Sequence, residues 1–192
     1  MLRIEPLLPE AAREAAAELY WDAFGRLLRP ALGSSPRAIQ VIADGIDPRR
    51  GIVAMDGDVL VGVVGLHYAG HAFTHLQARS VVRHLGISGV PRLVPLLLFN
   101  GRPDGGEMRL DGLAVREDRR GQGVGKLLLH EAARRTALLG IDVIRLEVVD
   151  TNPRARKLYE REGYVAVRTE ATPYLRRMMG FSAVTTMERR LA

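Results

Sequence analysis

The sequence predicts an α/β (α+β) chain, with strands and helices alternating around a central sheet. Three stretches carry that prediction. Ile52-Val53-Ala54-Met55 and Val59 to Leu66 are apolar runs joined by Asp56-Gly57-Asp58, which reads as a β-hairpin with an Asp-Gly turn. Glu107 to Val115 reads as a strand, followed by three glycines at alternate positions and then by Leu127 to Arg135, a run of strong helix formers. Asp142 to Val149 reads as another strand, followed by Asn152-Pro153, an N-cap residue and a proline suited to the first helical position.

The remaining elements follow in chain order. Leu2 to Leu7 is a first strand. Pro9 to about Leu28 carries apolar residues at helical spacing, and Pro30, Gly33, Ser34, Ser35 and Pro36 break that helix. A short helix covers about Arg37 to Asp44. Gly140 stops the helix begun at Leu127. Ala155, Leu158, Tyr159 and Glu162 fall near one face of the helix after Asn152, Gly163 ends it, and Tyr164 to Val167 starts another strand. Ala183 to Arg190 is a last edge or paired strand, and residues 169–182 before it could border a substrate pocket. Residues 68–106 read as a helical insertion. His71 to Leu85 and Val90 to Phe99 look helical in part, with breaks at Gly86, Gly89, Pro91 and Pro95. The insertion could be a lid, a pocket wall, extra core, or a homodimer contact through Val94 and Leu96 to Phe99. The whole chain, 1–192, is read as one domain.

Composition narrows the function. There are no cysteines, which excludes disulfides, thiolate metal sites and a cysteine nucleophile. No apolar run approaches the ~20 residues that span a bilayer, and acidic and basic residues interrupt the first twenty positions. The expectation is a cytoplasmic protein with no membrane partner. The net charge of +6 invites a nucleic-acid reading, but the basic residues are dispersed among acids and aromatics are few, which argues against it. His67, His71 and His75 are spaced four apart, but Gly70 separates the first from the others and no carboxylate completes a set, so no metal site is expected.

The most informative stretch is Arg120-Gly121-Gln122-Gly123-Val124-Gly125-Lys126. Each glycine weakens the helix it opens by roughly 1 kcal/mol relative to alanine. No Ser, Thr, Asp or Asn in 119–126 caps the free N–H groups, and no carboxylate meets the positive end of the helix dipole. The result is a bare helix start flanked by cations, which suits an external phosphate. It is not a Walker A loop, because Arg120 stands at the first glycine position and Leu127 at the hydroxyl position. It is not a dinucleotide fingerprint, because the third glycine is missing. It fits Arg/Gln-x-x-Gly-x-Gly/Ala in full. Arg116, Arg119, Arg120, Lys126, Arg154, Arg156 and Lys157 are available to phosphates.

Together with the strand ending Leu113-Ala114-Val115 and the run Asn152 to Tyr164, this loop makes Glu107 to about Val167 resemble the acetyl-CoA-binding core of the GNAT acetyltransferase superfamily. The run Asn152 to Tyr164 is similar to the family's Asn-x-x-Ala-x-x-Leu-Tyr-x-x-x-Gly-Phe, with Tyr164 in place of Phe. The resemblance implies a mixed, twisted central sheet of about six to seven strands flanked by helices, with the insertion between the third and fourth strands. It implies acetyl transfer from acetyl-CoA (coenzyme A) to an amine of a small molecule or peptide. It places Leu113, Ala114 and Val115 beside the pantetheine, and Arg120, Gly121, Gln122, Gly123, Val124, Gly125 and Lys126 around the pyrophosphate. Asn152 would contact the cofactor and also cap its helix. Tyr159 would both contact the cofactor and give a proton to the departing thiolate. A protonated amine needs a base, and Glu107, Asp111 or a water chain could serve. A non-catalytic acyl-CoA-binding or sensing module is the alternative function.

Overall fold

In a computed structural model, which describes residues 1–33, 36–87 and 106–191, seven strands form one sheet. They are β1 (Leu2–Glu5), β2 (Gly51–Asp56), β3 (Val59–His67), β4 (Met108–Val115), β5 (Val143–Val149), β6 (Val165–Ala171) and β7 (Ala183–Arg190). The order across the sheet is β1-β2-β3-β4-β5-β7-β6. Every neighbouring pair is antiparallel except β4 and β5. The α-helices among the described residues are α1 (Arg13–Leu32), α2 (Pro36–Gly45), α3 (Ala78–Leu85), α4 (Val124–Leu138), α5 (Pro153–Arg161) and α6 (Arg176–Met179).

Strand alternation sorts the core into two layers. On one face Val53, Met55, Val63 and Ala114 pack under α1 and α2. On the other, Ile52, Val64, Leu66, Met108, Ile144 and Leu146 pack under α4 and α5. The expected hairpin is β2 and β3, with Gly57 at φ 61° supplying the turn. The helix expected to end before Pro30 instead continues to Leu32. Proline removes one backbone donor, but Ala31 and Leu32 beyond it are buried in the α1 layer, which offsets that loss. Gly33, at φ 75°, then ends the helix, its N–H bonding Arg29 O at 2.8 Å.

Between β3 and β4 only part of the expected helical stretch is helical: α3 begins at Ala78. Before it, Phe73 is fully buried and lies against Gly51 and Gly65, where any Cβ would collide with its ring. The helix expected over 90–99 and its apolar residues lie outside the described residues.

Two irregularities create the site. The parallel pairing of β4 with β5 covers only Met108–Ile144 and Arg109–Arg145. Beyond it the strands separate, while β5 stays paired with β7 along its length. The β5-facing edge of β4 is therefore left without ladder partners from Leu110 onward. The second irregularity is a bulge: Leu66 pairs with Leu110 and Gly65 with Gly112, so Asp111 is the extra residue. Bulges re-aim side chains and are common beside active sites.

Candidate active site

A channel of about 1970 Å³ enters the gap between β4 and β5 and runs from the start of α4 to the α1 side of the sheet. In open α/β sheets, ligands sit beyond the carboxyl ends of parallel strands, and the divergence of β4 from β5 provides such a crevice.

At one mouth, Gly121 and Gly123 have φ of 80° and 83°, a left-handed conformation that favours glycine, and nothing lies within 4 Å of where their Cβ atoms would be. Gly123 is the N-cap of α4 and offers no side-chain cap, and no acidic residue lies in the first turn. The first turn-closing bond is Leu127 N–H to Gly123 O at 3.1 Å. The amides of Val124, Gly125 and Lys126 thus precede the helical ladder and face outward. Gly125 has another role: a Cβ there would be 3.1 Å from Leu158, so its absence lets α4 approach α5. An orphaned donor set, open space and a positive dipole end fit a diphosphate.

The flanking cations divide. Arg116 is bound to Asp118, Arg119 to Asp56 at 2.7 Å and Arg156 to Glu160 at 2.9 Å. Arg119 nevertheless lines the channel, as do Arg120, Lys126, Arg154 and Arg161, the last of which the sequence reading did not name. Arg120 also donates to Val115 O at 3.1 Å, tying the loop to the end of β4. Gln122 is the one residue of the expected cradle outside the channel lining, its side chain donating to Asp118 O at 2.8 Å.

Deeper in, Leu113, Ala114 and Val115 form one wall. Asn152, Leu158 and Tyr159 form part of the other. Asn152 Oδ1 accepts the Ala155 N–H at 3.2 Å, the expected cap, while the residue still borders the channel. Tyr159 is only 8% exposed. Burial pushes its phenol up to about 12, so it remains a neutral proton donor at physiological pH. Its ring meets Tyr164 edge-on at 5.9 Å.

The structure separates the two carboxylates expected to compete as base. Glu107 precedes β4 and is not part of the channel lining. It is held 2.6 Å from Arg145, whose guanidinium is also 2.5 Å from Glu188. Cross-strand pairing on β5 and β7 thus ties Glu107 into a charged network on the sheet. Asp111 does reach the channel. Its Oδ2 accepts the Phe73 N–H at 2.8 Å, and its backbone O accepts the Tyr20 O–H at 2.9 Å. Its Oδ1 lies 3.4 Å from His67 Nδ1.

Sequence reasoning missed His67 as a partner for Asp111. The two are far apart in sequence, and only the β3–β4 register and the bulge bring them together. Tyr20 was missed for the same reason. Gly112 was the available signal: a Cβ there would meet Tyr20 Oη at 2.6 Å and Phe24 at 2.8 Å, so only glycine admits α1 this close. His71 does not join His67, as its Nδ1 bonds Ala69 O at 2.8 Å. Among the described residues, no three His, Asp or Glu side chains converge on a metal-sized site. No described helix is long and apolar enough to cross a membrane.

Comparison with known proteins agrees with this fold. The ribosomal-protein-S18-alanine N-acetyltransferase from Escherichia coli is similar in structure with a TM-score of 0.62 and 16% identity, over 100% of this chain and 95% of that one. A GCN5-related N-acetyltransferase from Kribbella flavida gives 0.63 and 20%, over 99% and 98%. A Bacillus anthracis str. Ames protein solved in complex with acetyl coenzyme A gives 0.50 and 15%, over 74% and 62%. No curated protein matches the chain in sequence. The acetyltransferase (GNAT) family matches residues 13–164, most of the chain and every element that builds the channel up to Tyr164. The chain belongs to the GNAT family of acetyl-CoA-dependent acetyltransferases.

Proposed function

We propose that this chain transfers an acetyl group from acetyl-CoA to the primary amine of a small molecule or peptide, by direct attack of the amine. The observation that carries this reading is the single channel joining the bare start of α4, Tyr159 and the His67–Asp111 pair. Acetyl-CoA supplies the acetyl group as an activated thioester. The free amides of Val124, Gly125 and Lys126, with Arg120 and Arg154 nearby, hold its diphosphate. The unpaired edge of β4 at Leu113 to Val115 offers main-chain groups to the pantetheine, as an edge strand does to an added one.

A primary amine titrates near 10.4, so of order one molecule in a thousand is nucleophilic at neutral pH. A base must take its proton, and His67 is placed to do so. Asp111 faces Nδ1, which selects the Nδ1–H tautomer and leaves Nε2 as acceptor. The 3.4 Å separation is long for a hydrogen bond, as is common before substrate tightens a site. Asp111 is itself fixed by the Phe73 amide, so it acts as the positioning residue. Tyr159, held neutral by burial, gives its proton to the departing sulfur.

The test is an acetyl-transfer assay over an amine panel, with the amide product identified by mass spectrometry. His67→Ala should lower kcat by roughly 10²-fold or more, leave the KM for acetyl-CoA unchanged, and be partly rescued by added imidazole. Full activity in His67→Ala would remove it as the base. Tight coenzyme A binding with no transfer to any amine would favour the non-catalytic module.

A further inference from the structure

Ion pairing in this chain is uneven. Many of the described arginines pair with a carboxylate: Arg3 with Glu5, Arg13 with Glu10, Arg50 with Asp47, Arg134 with Glu131 and Arg168 with Glu170. Arg26 and Arg29 on α1, and Arg176 and Arg177 on α6, have no ion pair or hydrogen bond among the described residues. These four converge. With Pro30, Met179 and Gly180 they line a hollow of about 460 Å³ that contains no carboxylate.

The hollow is shaped as well as charged. Gly180 ends α6 at φ 82°, and a Cβ there would collide with the Arg26 guanidinium. A glycine at this position therefore lets Arg26 lie against the end of α6. Arg26 and Arg29 are three apart on one helix, so like charges face each other there, an arrangement that destabilises a helix. All four guanidinium groups are exposed, so water screens their repulsion, and an anion seated among them would relieve what remains.

The hollow adjoins the active-site channel: Arg26 and Met179 line both. Its distance from the chemistry can be gauged along α1. Tyr20 touches Asp111, the neighbour of His67. Six residues at 1.5 Å each put Arg26 roughly 9 Å further along the helix axis. Arg29 is roughly 14 Å from Tyr20 by the same rise. A planar guanidinium fork matches carboxylate and phosphate oxygens in pairs.

We propose that the acceptor is an amine that also carries an oxyanion, and that Arg26, Arg29, Arg176 and Arg177 form the subsite for that oxyanion. This inference rests on the acetyltransferase reading: the amine lies at His67, and the anion lies along α1 in the arginine hollow. The shared chemistry is a carboxylate or phosphoryl group at the far end of the acceptor, borne either by a free small molecule or by an acidic side chain of an amine-bearing peptide.

The test uses matched acceptors of increasing spacer length: n-alkylamines, ω-amino acids, ω-aminoalkylphosphonates and short peptides ending in Glu. The charged acceptors should show a KM at least about tenfold below the matched alkylamine, with an optimum at one spacer length. Added salt should erode that advantage, as screening requires. Changing Arg29, Arg176 and Arg177, which lie outside the channel lining, to Gln keeps the side chains polar and should abolish the advantage. The KM for acetyl-CoA and the turnover of n-alkylamines should not change. Equal KM for charged and uncharged acceptors, or an advantage that survives in the Gln variant, overturns the proposal. The relative response to phosphonate, carboxylate and peptide identifies the source of the anion.

A binding measurement separates this proposal from the catalytic reading. Calorimetric titration of an ω-aminoalkylphosphonate into the coenzyme A-loaded protein needs no turnover. Binding that is lost in the Gln variant supports the subsite even where no amine is acetylated. Absence of binding overturns it even where acetylation occurs. Capture of duplex DNA by the same arginines, with no response to the phosphonate, also overturns it.

Discussion

The two ends of the channel, proposed above to take the diphosphate and the acceptor, are built by opposite means. At the diphosphate end the machinery is contiguous: Arg120 to Lys126 is one short loop, and its donors are main-chain amides left over by the start of a helix. At the acceptor end nothing is contiguous. Tyr20 comes from α1, His67 from the end of β3, Asp111 from a bulge in β4, and Met179 from α6. The difference is between backbone and side-chain recognition. Backbone recognition needs small residues in a fixed order and tolerates almost any tertiary frame that leaves the loop exposed. Side-chain recognition depends on register, bulges and helix docking, each of which one substitution can shift.

The comparison can be broken most severely at the loop. Gly123→Val forces a branched residue into a left-handed conformation and puts methyl groups where the diphosphate must approach. Calorimetric affinity for coenzyme A should fall by about 100-fold or more, each tenfold being about 1.4 kcal/mol. An unaltered affinity would refute the backbone cradle. Next is Tyr159→Phe, which removes a proton donor but keeps the ring that packs on Tyr164. Steady-state kcat should drop by roughly 10- to 100-fold, with coenzyme A affinity nearly intact. A kcat equal to that of the parent chain would make Tyr159 a packing residue only.

A substitution at the acceptor end should act through geometry. Gly112→Ala puts a methyl group against Tyr20 and Phe24. Overpacking of this kind costs about 1–3 kcal/mol, readable as a lower denaturation midpoint. It should also raise the KM of the amine more than that of acetyl-CoA, because α1 is displaced from Asp111. An equal rise in both would mean that the two ends are not independently built.

The smallest expected effect is on pH dependence. Tyr159 is pushed up to about 12 by burial, and Tyr20 and Tyr164 are raised as well, chiefly by burial. An unfolded tyrosine ionises near 10, so above that pH the unfolded chain loses protons that the folded chain keeps. Stability from these groups is thus fully present below about pH 10 and declines as pH climbs toward 12 and beyond. Tyr159→Phe should reduce the alkaline decline measured by denaturant unfolding. An unchanged decline would show that Tyr159 does not contribute to it.

Much of the fold was legible because its signals are local. The hairpin at Asp56-Gly57-Asp58, the Asn152-Pro153 helix start and the stop at Gly163 each depend on a few neighbouring residues, and each stands where the sequence placed it. Pro30 was misleading because propensity is a weak constraint against two buried residues at the end of a helix. The surroundings of Glu107 were not legible for a different reason. Its place on or near β4 could be read, but its capture by Arg145 depends on which strand lies beside β4. His67 could not be paired with Asp111 from the sequence, because the partner of β3 is set by tertiary packing across an intervening segment.

The sequence by itself determined the glycine-rich, uncapped start of α4, the strands and helices around it, and the family to which they belong. These follow from steric and capping preferences that act over a few bonds. Only the tertiary structure decided which carboxylate reaches the channel, which histidine it meets, and which arginines are left without a counter-charge. Those outcomes depend on strand order, a one-residue bulge and the docking of α1, whose energies are summed over contacts distant in the chain.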